Sequence, residues 1–350
     1  MRAVAMFPAE KKIRLIDRRA PAIQRDDEVR LRMLEVGVCG TDHEIARFEY
    51  GAPPAGEPYL VMGHESLGQV AEVGSAVSGL KPGDLVVTTV RRPCGRPECR
   101  PCAHDRPDFC RTGAYTERGI KERDGYCAER YRIDPAFAVV VDPSLGDLGV
   151  LLEPTSVVAK AWEHIERIGA RARWRPARVL VTGAGPIGLL AALLARQRGL
   201  EVHVLDRVTD GPKPALVRDL GAVYHTGAVA DVGPRADVVI ECTGVGQVVL
   251  DALGHTAPGG IVCLTGVSSG GRTLPVDAGA LNRKLVLQND VVFGSVNANR
   301  RHYQAAADAL AAADRAWLAR LITRRVPLAA WADALVRQPD DVKPIIDLTR

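Results

Sequence analysis

Residues 178–207 read RVLVTGAGPIGLLAALLARQRGLEVHVLDR. A β-branched run at 179–182 leads straight into a glycine turn, a helix-length apolar segment and a second apolar run ending at Asp206. The turn is Gly183-Ala184-Gly185-Pro186-Ile187-Gly188, a G-x-G-x-x-G pattern set after a strand and before a helix. In that setting the glycines permit a tight turn, close approach of a pyrophosphate to the backbone, and tight packing of helix on strand. The helix start adds N–H groups and a positive dipole end. Asp206, eighteen residues beyond Gly188, can accept hydrogen bonds from ribose hydroxyls and repels a 2′-phosphate, whereas the adjacent Arg207 could contact one. The expected cofactor is NAD, with NADP as the alternative.

The alternation continues outward. Strand-like runs recur at 236–244, 259–266 and 285–296, with helix-length segments between the earlier ones. Strands alternating with helices imply an α/β fold with a parallel, doubly wound sheet. Residues 1 to about 150 read as β-rich: 29–38 alternates, 69–73 and 85–90 are strand-like, and Lys81-Pro82-Gly83-Asp84 is a turn. An Ala-rich helix is expected at 301–312, and the final apolar run can return as a strand.

The 350 residues carry 46 Lys+Arg against 42 Asp+Glu, and no run of five or six like charges occurs, so nothing favours a nucleic-acid partner. No stretch approaches the ~20 uninterrupted apolar residues of a membrane span, and MRAVAMFPAEKK has no apolar core of signal-peptide length. A cytoplasmic protein without a membrane partner is expected.

Four of the eight cysteines crowd into Cys94-x4-Cys99-x2-Cys102-x7-Cys110. Disulfide scaffolds belong mainly to small secreted chains, so the cluster points to a metal. Four thiolates close a tetrahedral zinc shell, which holds a loop in shape and leaves no position for substrate. Arg91, Arg92, Arg96 and Arg100 either stabilise those thiolates or form a solvated basic surface. A second set is more open: Cys39, His64 with Glu65, and Glu153 supply mixed S, N and O donors. Each alone is unremarkable, but together they suit a zinc that keeps one position for a hydroxyl.

The GHE at 63–65, CGTDHE at 39–44, the cysteine cluster, the glycine turn and LLEP at 151–154 resemble the zinc-dependent medium-chain dehydrogenase/reductase superfamily over essentially the whole chain. YTERGI (115–120), VRRP (90–93), EPTSV (153–157), VDAGALNRKLVL (276–287) and GSVNANRRH (294–302) are similar to its archaeal-type glucose (aldose) dehydrogenase branch, as is the wide first gap in the cysteine cluster. The resemblance implies a GroES-like β-rich catalytic domain (1–155 and 297–350) with a structural zinc lobe at 91–112, split by a Rossmann domain at 156–296. It implies two zinc ions per subunit. Cys39, His64, Glu65 and Glu153 match the catalytic zinc site, the two carboxylates binding directly or through water. Thr41 matches a hydroxyl that passes on the substrate proton, with a carboxylate such as Glu65 as the alternative route. Glu117 and His302 match residues that bind sugar hydroxyls, and Asn297 one beside nicotinamide and sugar. The implied reaction is oxidation of an aldose, foremost D-glucose, at C1 to the lactone by a homodimer or homotetramer. A polyol, cyclitol, amino sugar or secondary alcohol is the alternative substrate, and a non-catalytic ligand sensor the competing class. Asp206 departs from relatives that carry a small or amide residue there and use NADP.

Overall fold

An apolar run without alternation suits a strand buried on both faces, and 179–181 behaves that way: Val179, Leu180 and Val181 are all buried. The structure, a computed structural model, describes residues 1–268, 270–271 and 273–350. The chain divides into two units, Met1–Ser156 with Asn297–Arg350, and Val157–Val296.

In the unit Val157–Val296 six parallel strands pair in the order Val223–His225, Glu201–Leu205, Arg178–Thr182, Ala236–Glu241, Thr256–Leu264, Val291–Gly294. Strand order reverses beside Arg178–Thr182, the switch point at which such sheets bind ligands beyond their carboxyl ends. The glycine turn sits there. Gly183 has φ +92°, and a Cβ on Gly188 would lie 1.8 Å from the Gly183 carbonyl oxygen, so only glycine lets the helix Pro186–Gln197 approach its strand. Leu189 and Leu190 of that helix are fully buried, worth about 1.5–3 kcal/mol each.

One expectation fails here. The run 285–296 is not a single strand: Leu285 to Gln288 close the helix Ala278–Gln288, and only Val291–Gly294 is extended. Asn289, at φ +55°, caps that helix by donating its N–H to the carbonyls of Leu285 and Val286, a left-handed stop that asparagine tolerates.

In the other unit strands from before and after the inserted unit share one seven-stranded sheet, ordered Ala138–Val140, Leu85–Thr88, Glu65–Val73, Val29–Gly37, Lys343–Asp347, Ile322–Pro327, with Arg130–Ile133 also paired to Val29–Gly37. Val29, Leu31, Met33 and Val36 point into a core shared with Val70, Tyr126 and Ile346. The register sets Gly37 opposite both Glu65 and Ile345, which fixes where the functional carboxylate stands. Among the described residues no helix is long and apolar enough to cross a membrane.

Candidate active site and metal centres

Cys39 lies two residues beyond the strand Val29–Gly37 and is the N-cap of the helix Gly40–Ala46, where Asp42 Oδ2 accepts the Cys39 N–H at 2.9 Å. His64 precedes the strand Glu65–Val73, after a turn in which Gly63 holds φ +86°. These two ends meet: Cys39 Sγ lies 3.1 Å from His64 Nε2, and ligand atoms of Cys39, His64 and Glu65 fall within 4.8 Å of one another. Asp42 Oδ1 stands 3.5 Å from His64 Nδ1, on the far side of the ring, the place where a carboxylate orients a metal-binding imidazole. Burial alone would push His64 down, but the Cys39 sulfur and Asp42 carboxylate pull it well above its ordinary value. A soft sulfur, an imidazole nitrogen and a carboxylate oxygen clustered in this way fit a zinc ion.

Glu65 is fixed from two sides. A Cβ on Gly37 would lie 2.1 Å from Glu65 Oε2, so the cradle exists only because residue 37 is glycine. Lys343, fully buried on the strand Lys343–Asp347, donates to Glu65 Oε1 at 2.7 Å and Oε2 at 2.6 Å, and to the Val38 carbonyl at 3.2 Å. Burial opposes the Lys343 charge, but Glu65 and Cys39 raise its pKa. Lys343 escapes notice in the sequence, where the one signal is a lone cation entering the apolar strand VKPIID. Glu153, in the first turn of the helix Leu152–Gly169, lies outside the three-residue cluster; burial, then the charge of Glu65, pushes its carboxyl up to about 7. Thr41 lies on the helix Gly40–Ala46, two residues beyond Cys39, and its hydroxyl has no partner among the described residues.

Cys94, Cys99, Cys102 and Cys110 form the second centre, their sulfurs within 4.8 Å of one another and Cys99 to Cys110 at 3.9 Å. Thiolates at 2.3 Å from one tetrahedral ion stand roughly 3.8 Å apart, so the spacing fits zinc. Burial raises the Cys110 thiol, but the Thr112 hydroxyl and the N–H groups of Thr112 and Gly113 outweigh it and bring it down to about 6. Arg91 and Arg92 do not form a solvated basic surface: both are buried, Arg91 donating to Glu117 and Arg92 to Thr89 and Tyr126. A buried guanidinium needs acceptors for its fork of donors, and these oxygens supply them where the thiolates do not.

Glu117 is 4% exposed; its Oε1 accepts from Arg91 Nε at 2.9 Å and Asn297 Nδ2 at 2.8 Å, while Oε2 has no partner among the described residues. Asn297 holds φ +60°, with its own Oδ1 bonded to the Ala298 N–H. His302 is buried on the helix Arg300–Ala311, and its Nδ1 accepts the Asn299 N–H at 3.1 Å. In the other unit Asp206 Oδ2 accepts the Ala184 N–H of the glycine turn at 2.6 Å and Oδ1 the Val208 N–H at 3.1 Å, while Arg207 is exposed. The carboxylate thus braces the turn 183–188 through Ala184.

Residues 25–143 match the alcohol dehydrogenase GroES-like domain, and residues 146–348 the glucose dehydrogenase C-terminus. The chain is 41% identical to glucose 1-dehydrogenase of Methanocella arvoryzae and 39% to that of Thermoproteus tenax, in each case over 99% of both chains. Glucose dehydrogenase of Haloferax mediterranei, solved with NADP, zinc and gluconolactone, superposes with a TM-score of 0.92 over 100% of both chains at 32% identity. Chain-long identity and a common architecture, joined to the two donor clusters, lead to one assignment: the protein belongs to the glucose dehydrogenase branch of the zinc-dependent medium-chain dehydrogenase/reductase family.

Proposed function

We propose that this protein oxidises a cyclic aldose, D-glucose foremost, at C1 to the aldonolactone, with NAD as hydride acceptor and NADP as the alternative. The observation that carries this reading is the Cys39–His64–Glu65 cluster, with His64 and Glu65 buried, in a chain related end to end to glucose 1-dehydrogenases. Zinc held by Cys39, His64 and Glu65, with Glu153 alongside or joined through water, supplies a Lewis acid that lowers the pKa of the anomeric hydroxyl. A nicotinamide dinucleotide on the glycine turn supplies the hydride acceptor.

The chain's own groups do the rest. Thr41 takes the hydroxyl proton onward. Lys343 holds the Glu65 carboxylate in place through both of its oxygens. Glu117 Oε2, Asn297 and His302 pair with sugar hydroxyls; a simple alcohol would leave these groups unmatched and be rejected. Asp206 favours a free ribose hydroxyl and hence NAD. Cys94, Cys99, Cys102 and Cys110 hold a second, structural zinc.

The protein acts as a homodimer or homotetramer: Val286, Leu287, Val292 and Val296 are exposed beside the open edge of the strand Val291–Gly294, an apolar face that a second copy would cover. Thiolate zinc sites need reduced cysteines, which supports a cytoplasmic location. The test is a panel of aldoses, polyols, cyclitols and simple alcohols with each cofactor, read as reduced-nicotinamide absorbance. Turnover confined to polyols or secondary alcohols would overturn the aldose assignment, and none at all the enzymatic one.

A further inference from the structure

Two chains of hydrogen bonds run from the four-cysteine lobe to the side chains assigned above to sugar hydroxyls. Arg91, 8% exposed, donates from Nε to Glu117 Oε1 and from a terminal nitrogen to the Asp108 carbonyl at 3.3 Å, with its guanidinium 3.9 Å from the Tyr115 ring centroid. Asp108 is buried in the turn Pro107–Phe109 that delivers Cys110 to the lobe, and its Oδ1 accepts from Asn299 Nδ2 at 3.1 Å. Asn299 in turn gives its N–H to His302 Nδ1, while Asn297 shares Glu117 Oε1 with Arg91. One short lobe segment therefore touches the supports of Glu117 through Arg91 and of His302 through Asn299.

The arrangement bears on recognition as well as on folding. With both donors on Oε1, the Glu117 carboxylate is locked in one orientation and keeps Oε2 for another donor. A long carboxylate side chain that is already ordered loses little entropy on binding, which is what preorganisation contributes to affinity. Arg91 can do this where lysine cannot, because its planar fork reaches the carboxylate and the Asp108 carbonyl together while its face stacks on Tyr115.

We propose that Arg91 and Asp108 are positioning residues for sugar recognition, so that the four-cysteine lobe sets the affinity for the sugar as well as holding its own loop. This inference rests on the aldose reading. The experiment compares the zinc-loaded wild type with Arg91→Met, Arg91→Lys, Asp108→Ala and Asp108→Asn, measuring KM and kcat for D-glucose, KM for the cofactor, and melting temperature. Loss of a hydrogen bond to a charged group is worth about tenfold or more, so Arg91→Met is expected to raise the glucose KM by about that factor and leave the cofactor KM within about twofold. Arg91→Lys keeps the charge but not the fork and is expected to fall between. Asp108→Asn, whose side-chain oxygen still accepts from Asn299, is expected to recover most of the glucose KM that Asp108→Ala loses. Should Arg91→Met fail to fold, the Asp108 pair and Arg91→Lys decide the matter. Variants that lose melting temperature while the glucose KM stays at the wild-type value would overturn the proposal and leave the aldose reading intact. A wild type that turns over no aldose would instead sink that reading, and this inference with it.

Discussion

Lys343 Nζ stands 2.7 Å and 2.6 Å from the two oxygens of Glu65, and both side chains are buried. The pair joins a C-terminal strand to the carboxylate proposed to bind the metal. Removing one member of a buried ion pair typically costs about 3–5 kcal/mol, because the other charge is left uncompensated. Lys343→Met is expected to lower stability by about that amount and to reduce zinc at the Cys39–His64–Glu65 cluster. Denaturant titration and zinc content check it; an unchanged midpoint would show that Lys343 is dispensable.

The four-cysteine centre predicts a different signature. Cys99 is 1% exposed and receives the Arg111 N–H as well as facing Cys110. Cys99→Ser is expected to release one zinc and lower the melting temperature, while the folded fraction keeps its kcat at saturating sugar. Loss of turnover at unchanged stability would contradict a structural role.

Asp206 should act on cofactor choice. Its carboxylate braces the glycine turn through Ala184, and its proposed role is to accept from the ribose hydroxyls. Asp206→Ala is expected to lower kcat/KM for NAD by about tenfold or more and to narrow the gap to NADP, as loss of a charged hydrogen-bonding partner implies. A wild type that prefers NADP, or an unchanged NAD constant in the variant, would defeat the assignment.

A pH effect on stability follows from Asp341. Burial raises its carboxyl, but Arg324, bonded through Nε and a terminal nitrogen at 2.7 Å each, and the Gln338 N–H outweigh that and hold it below the usual range. A depressed folded pKa means stability that is present above the unfolded value near 3.9 and is lost as pH falls through the folded one. Because the pair is partly exposed, its contribution is about 1 kcal/mol after screening. Asp341→Asn is expected to flatten the acid limb of the stability curve below about pH 4. Parallel wild-type and variant limbs in acid denaturation would argue against it.

The glycine turn was legible in the sequence because everything it needs is local: strand, turn, helix and Asp206 lie within one unit of about thirty residues. The four-cysteine centre was legible for the same reason. Lys343 was not, since its partner Glu65 is 278 positions away and only the register of Lys343–Asp347 against Val29–Gly37 brings them together. Arg91 and Arg92 misled because arginines beside cysteines look like a surface, and only the fold shows them buried against Glu117 and Tyr126. The apolar residues 285–287 looked like a strand because their exposure, 64% at Val286 and 66% at Leu287, belongs to a face that pattern alone cannot tell from a core.

The most direct measurement is D-glucose turnover by protein stripped of zinc and then reloaded, followed as reduced nicotinamide with NAD and with NADP. The Cys39–His64–Glu65 assignment requires negligible turnover after stripping and recovery of most of it on adding zinc, with lactone as the product. Undiminished oxidation of glucose by the stripped protein, or none by the reloaded protein, would contradict it.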